Sequence, residues 1–160
     1  MSGTGTSDPE FRDPWLLGVM ADLQAAADAR GPEAWIAAFG RFVPGPHRTA
    51  DEVGSEVVAH LDTLVRGALQ RHVFPLMARG RLPVRATPIE NVNERRADIA
   101  VPVLALTGGG DAEDNIRSTR ELLDLLPRSR EVVIPRAGHY PNLEDAESFN
   151  SALAEFLRTC

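Results

Sequence analysis

Two hydrophobic patterns divide this chain. Through Val73, apolar residues recur at helical spacing; from Ile99 onward, short continuous apolar runs alternate with amphipathic stretches. In the first part, residues 13–30, "DPWLLGVMADLQAAADAR", predict a helix. Asp13 is placed to cap it and Pro14 suits its first turn. Trp15, Val19, Leu23 and Ala26 or Ala27 share one face. Residues 31–43, "GPEAWIAAFGRFV", predict a second helix with Pro32 near its start and Trp35, Phe39 and Phe42 on one side. "VPGPH" then breaks the chain. Residues 49–73 predict a third helix, opened by a capping box of Thr49 and Glu52. Its stripe is Val57, Leu61, Leu64, Val65, Ala68 and Leu69. Residues 75–98 hold three prolines and read as a linking loop, with "LPVRAT" as a short strand within it.

The second part changes period. "VPVLALT", residues 101–107, is a continuous β-type run, as in a strand buried on both faces, and "GGGD" stops it. "STRELLDLLP" predicts an amphipathic helix ended by Pro127. "EVVIP" is a second buried strand. "EDAESFNSALAEFLRT" is a last helix, with Phe149, Leu153, Phe156 and Leu157 facing inward. A β–α–β–α order implies parallel strands joined by a right-handed crossover. The expected class is α/β, in one compact domain: a flexible tail over residues 1–12, a helical region with its linking loop over 13–98, and a βαβα core over 99–160. No internal repeat or low-complexity tract interrupts it.

Composition narrows the function. The length of 160 residues and 43% hydrophobic content suit one soluble globule. The net charge of −6 supplies no basic field, which argues against nucleic acid as a partner. All 17 basic residues are arginine, a bias expected of a GC-rich bacterial genome. The single cysteine, Cys160, rules out an internal disulfide and a cysteine metal cluster. No apolar run approaches the roughly 18 residues of a membrane span, and the opening "MSGTGTSDPEFRD" lacks the basic-then-apolar order of a secretion signal. The expectation is a cytoplasmic protein that meets no membrane.

The candidate chemistry lies where the two apolar runs end. Asp111 follows the first and His139 the second. Loops at the carboxyl ends of parallel strands converge on one edge, so both side chains are expected in one crevice. A carboxylate bound to one imidazole nitrogen fixes the tautomer and supports the protonated ring, which makes the other nitrogen a useful base. The residues themselves thus point to an Asp111–His139 dyad.

The stretch "IAVPVLALTGGGD" followed by "ELLDLLPRSREVVIPRAGHYPNLEDAESFNSALAEFL" resembles the C-terminal end of the α/β-hydrolase fold. In members with a Ser–His–Asp triad the aspartate stands where Asp111 does and the histidine where His139 does, at a comparable separation. Residues 14–98 resemble, more loosely, the helical lid of small lactonase-like members. The resemblance implies a truncated α/β-hydrolase-like domain: a short parallel sheet with helices, under a helical lid. The family's G-x-S-x-G nucleophile elbow is absent. Ser2 and Ser7 lie in the tail; Ser55 follows Gly54 but no strand; Ser118, Ser129, Ser148 and Ser151 lie in or beside helices.

A two-stranded parallel sheet leaves two open edges. The expected cover is a second copy in a homodimer, with the chain's own helices rearranged or a partner chain as the alternatives. The expected function is a cofactor-independent acid–base enzyme, using His139 steered by Asp111 for dehydration, cyclisation or addition on a small apolar substrate. One alternative is the C-terminal subunit of a split serine esterase or lactonase. Another is a binding or scaffold module without turnover.

Tyr140, Trp35, Phe39 and His47 are the candidate substrate contacts, with packing and a surface loop as their plainer roles. Glu144 resembles the acidic residue that often follows the catalytic histidine in the α/β-hydrolase family, and it reads as the cap of the last helix. His60 sits near the edge of its stripe and His72 on the apolar face of the third helix, as a core histidine. Arg117 and Arg120 read as a solvent face. Asp111, Glu113 and Asp114 could be weighed as a metal site, but three close acids read as a solvated turn, and no metal is assigned. "TGGGDAED" lacks both the G-x-G-x-x-G spacing and the Walker lysine of a phosphate loop.

Overall fold

The computed structural model describes residues 10–29, 31–79 and 92–159. The predicted strand "LPVRAT", Cys160, Ser2, Ser7 and most of the 1–12 tail lie outside these.

Helix α1 (Pro14–Asp28) starts where Asp13 accepts the Trp15 amide at 2.9 Å. It buries Leu16, Val19 and Ala26. Helix α2 (Pro32–Gly40) buries Ile36 and Ala38 and lies against α1. The predicted third helix is not continuous. Short α3 (Ala50–Val53) stops at Gly54, whose φ of 98° lies in the left-handed region that only glycine enters cheaply. Glu52 does take the Thr49 amide at 2.7 Å and its hydroxyl at 2.9 Å. Helix α4 (Ser55–Ala68) follows, then a π-turn (Leu69–Val73) and α5 (Phe74–Ala78). Helical structure therefore runs past Pro75 into the predicted loop. It also re-forms before the first strand as α6 (Val92–Arg95) and a 3₁₀ turn (Arg96–Asp98).

The predicted stripe on α4 is only partly covered. Leu61 is buried, whereas Leu64 is 48% exposed and Ala68 is exposed. His72, read as a core residue, is exposed as well, because nothing among the described residues packs over that side of the π-turn.

Strands β1 (Val103–Gly108) and β2 (Ser129–Ile134) pair in parallel, with Val103 opposite Ser129 and Gly108 opposite Ile134. Pro102 has no amide to donate, so the ladder starts after it. Between them, α7 (Glu113–Leu123) begins five residues before the predicted Ser118. Glu113 and Asp114 favour that earlier start, since carboxylates suit the positive end of a helix. It ends before Pro127, its last carbonyls satisfied by tighter turns: Leu125 bonds to Leu122 and Leu126 to Leu123. The last predicted helix divides into α8 (Pro141–Glu144) and α9 (Ala146–Arg158).

The strands were expected to be buried on both faces. Most of β1 is instead half-buried, and Val133 on β2 is 39% exposed. Leu157 on α9, expected inward, is 63% exposed. Helices α7 and α9 pack on the sheet, but among the described residues neither outer strand edge has a partner.

The tightest packing joins the helical region to the loops at the sheet's end. Leu16, Val19, Phe42 and Ala112 form one cluster, with Trp15, Phe39 and Tyr140 against it. Burying each of the three larger aliphatic or aromatic members contributes about 1.5–3 kcal/mol. A polar staple reinforces it: the Arg12 and Asp13 amides donate to Asp114 at 2.6 and 2.7 Å. The end of the predicted tail is thereby fixed. The helical region and the crevice loops share one core, so they are held in one register.

Candidate active site

Both ends of the strands turn sharply, and glycine permits it. A Cβ on Gly108 would stand 1.8 Å from the Gly138 carbonyl, so the two loops approach as only bare backbone can. This places Asp111 and His139 side by side. His139 Nδ1 lies 2.9 Å from Asp111 Oδ2 and 3.1 Å from Oδ1. The Ala112 amide at 2.7 Å and the Asn115 side-chain amide at 3.0 Å both donate to Asp111 Oδ1. With an acceptor-only carboxylate facing it, Nδ1 carries the hydrogen and donates it. Proton exchange then falls to Nε2. The two side chains are 13% and 11% exposed, dry enough to strengthen the bond and open enough to meet a reactant.

The imidazole is walled by rings. Its centroid lies 5.2 Å from that of Phe42 and 5.0 Å from that of Tyr140, the latter edge-on. Burial, then the Asp111 and Glu144 carboxylates, push the Tyr140 phenol above 10.0. Phe39 and Tyr140 both line a cavity of about 310 Å³ between α2 and α4, with Ile36, Val43, Leu61 and Val65. Trp35 stacks on Phe39 at 5.1 Å and supports that wall. His47 is exposed and stands on the rim of a separate open groove with Asp111, Gly108 and Arg117. The structure thus brings Phe39, Trp35 and Tyr140 together at one cavity and places His47 apart from them, on the groove that Asp111 also lines. A further trough of about 300 Å³ follows β1 from Val103 to Gly108 and reaches Asp111 and His139.

The acidic turn is not a shared site. Asp111 faces His139, whereas Asp114 is 2% exposed and holds Arg117, Arg12 and Asp13. Arg117, read as a solvent-face residue, is instead bonded to Asp114, to Glu121 and to the Glu10 carbonyl. Among the described residues no group of three or more acids, histidines and cysteines could hold a metal ion. No helix there is long and apolar enough to cross a membrane.

Glu144 was expected to cap the last helix. That role belongs to Asp145, which accepts the Ser148 amide at 3.1 Å. The Glu144 side chain, 3% exposed, turns back under the histidine loop and accepts the Gly138 and Tyr140 amides at 3.0 and 3.1 Å. It also pairs with Arg48.

No family model and no curated protein sequence matches the chain. Solved structures do match. A bromoperoxidase from Bacillus anthracis matches with a TM-score of 0.66 at 18% identity, covering 96% of this chain and 56% of that one. The esterase RhEst1 from Rhodococcus sp. ECU1013 gives a TM-score of 0.61 at 24% identity, over 88% of this chain and 47% of that one. MenH from S. aureus gives 0.60 at 20% identity, over 95% and 56%.

The fold is that of the α/β hydrolases. The chain spans about half the length of these solved structures. Within this α/β-hydrolase fold, two residues that matter to the site were missed from sequence: Asn115 braces Asp111, and Arg48 reaches the histidine loop. Phe42, expected as a core aromatic or a cavity wall, backs the imidazole. Asn115 had a readable signal, since it stands one helical turn after Asp111. Arg48 had none, because its partner Glu144 lies 96 positions away.

Proposed function

We propose that His139 transfers protons as a general base and acid, steered by Asp111, on a small, largely apolar substrate seated against the lid helices. The reaction class is a dehydration, cyclisation or addition that needs no cofactor. The observation that carries this reading is the 2.9 Å bond between His139 Nδ1 and Asp111 Oδ2, in side chains only 13% and 11% exposed. A dyad of this kind contributes about 10²–10⁴-fold to rate. The apolar cavity beside Tyr140 supports the substrate class. A bacterial, cytoplasmic setting belongs to the same proposal and rests on the all-arginine cations and single cysteine.

A second reading is favoured by the open edge of β1 beside the dyad and by matches to only about half of each solved structure. Here a strand from outside these 160 residues would pair with β1 and bring the nucleophile. Two of the described serines are already engaged: the Ser129 hydroxyl donates to the Leu123 carbonyl at 2.9 Å and that of Ser148 to Asp145 at 3.0 Å. A homodimer closing the same edge is the remaining arrangement.

A serine-directed covalent probe separates the readings. It is applied to the chain alone and with products of neighbouring genes. No labelling in either arm, with catalysis that His139→Ala removes, supports the acid–base enzyme. Labelling of a partner, dependent on this chain, overturns it in favour of the split hydrolase.

A further inference from the structure

We infer that Arg48 is a positioning residue for His139, acting through Glu144 and the backbone of the histidine loop. The inference rests on the reading of His139 as the proton-transfer residue. Arg48 lies in the segment between α2 and α3, on the lid side of the molecule. Its Nε donates to the Pro44 carbonyl at 3.1 Å and its Nη2 to the Val43 carbonyl at 3.2 Å. Its Nη1 crosses to the sheet side, reaching the Arg136 carbonyl at 3.2 Å and the Glu144 carboxylate. One guanidinium thus satisfies acceptors in three separate stretches of chain, with its side chain 16% exposed. A lysine cannot do this, because an ammonium is a point charge without a fixed fork.

The far end of the network is the histidine backbone. Glu144 accepts the amides of residues 138 and 140, which flank His139. Arg48 neutralises that buried carboxylate and ties residue 136 to the same place. Moving Arg48 would therefore release the loop on both sides of the imidazole.

Gly138 gives an independent sign. A Cβ there would stand 2.1 Å from Arg48 Nη2. No positive φ is recorded for Gly138, so a left-handed backbone is not what calls for glycine. What calls for it is room for the guanidinium. The glycine before the histidine is the seat of Arg48.

The test reads the loop directly and does not require turnover. In the full chain, nuclear magnetic resonance follows amide hydrogen exchange at Gly138 and Tyr140, and the Nδ1 proton of the His139 ring. In Arg48→Ala both amides should exchange at least about tenfold faster. The ring proton signal should broaden or vanish, while amides in α9 keep their wild-type rates. Gly138→Ala, which displaces Arg48 without removing it, should give the same signature. Where Arg48→Ala does not fold, Arg48→Lys carries the test, with the same two amides accelerated. Unchanged exchange and an unchanged ring proton would overturn the inference. So would an equal acceleration of every core amide, which marks a general prop. An inert His139 would defeat the proposed function and leave these readouts intact.

Discussion

Glu144 stands behind His139, its carboxylate accepting the backbone amides on either side of that histidine at 3.0 and 3.1 Å. Asp111 fixes the ring, and Glu144 fixes the peptide that carries the ring. The first contact sets the tautomer and the second sets direction, both of which the proposed proton transfer at His139 requires.

Removing Glu144 should be costly, because the Arg48 charge beside it is mostly buried. Glu144→Ala is expected to lower unfolding free energy by about 3 kcal/mol, the low end for breaking a buried pair. Glu144→Gln also removes the charge opposite Arg48 but keeps one acceptor oxygen, and should cost less, about 2 kcal/mol. Urea denaturation measures both. Equal losses for the two variants would mean that the charge, which both remove, carries the whole effect and the acceptor oxygen none.

Asp111→Asn tests the tautomer. Asparagine can present its amide to Nδ1 and turn that nitrogen into an acceptor, which moves the hydrogen to Nε2. Turnover of any substrate should fall by about 10²–10⁴-fold with circular dichroism unchanged. The Nδ1 proton should disappear from the spectrum. Its persistence in the variant would contradict the assigned direction of the bond.

Acid should act on the staple between Asp114 and the start of α1. Burial pushes the Asp114 carboxyl up, but the Arg117 bond and the Asp13 and Arg12 amides outweigh it, leaving the group below its ordinary 3.8. A carboxyl with a lowered folded value adds stability above its unfolded value and loses it as pH falls through the folded one. Wild-type stability should be intact at pH ~5 and decline below about pH 4, the unfolded aspartate value. Asp114→Asn should start lower and show a shallower acid decline. Urea midpoints against pH measure this; parallel curves would refute it.

Tyr140 offers an unusually clean readout, being the sole tyrosine of the chain. Burial, with the Asp111 and Glu144 charges, holds its phenol above 10.0. Near-ultraviolet difference absorbance should show one phenolate transition with a midpoint above that value, moving down in Asp111→Asn. A midpoint at or below 10.0 in the folded protein would be inconsistent with a half-buried ring beside two carboxylates.

The dyad was legible because each member directly follows an apolar run through a glycine turn, and parallel strands bring such turns to one edge. Helix α1 was legible for a similar local reason, with Asp13 and Pro14 marking its start. What escaped depended on distance or on cover. Glu144 and Asp145 are adjacent acids, and only the non-helical backbone at Asp145 decides which one caps α9. Arg48 finds its carboxylate across 96 positions, which no local window spans. His72, Leu64 and Leu157 sit on predicted apolar faces, but periodicity names a face without saying whether anything lies on it. The break at Gly54 came from a single left-handed residue inside an otherwise regular stripe.

Among the described residues the outer edge of β1 has no partner strand, which makes crowding a variable of this molecule. At high concentration such an edge is a template on which another extended segment can pair. Under the proposals above, a second copy or a strand from another chain would remove that template, so protein concentration becomes a quantity to control in every assay.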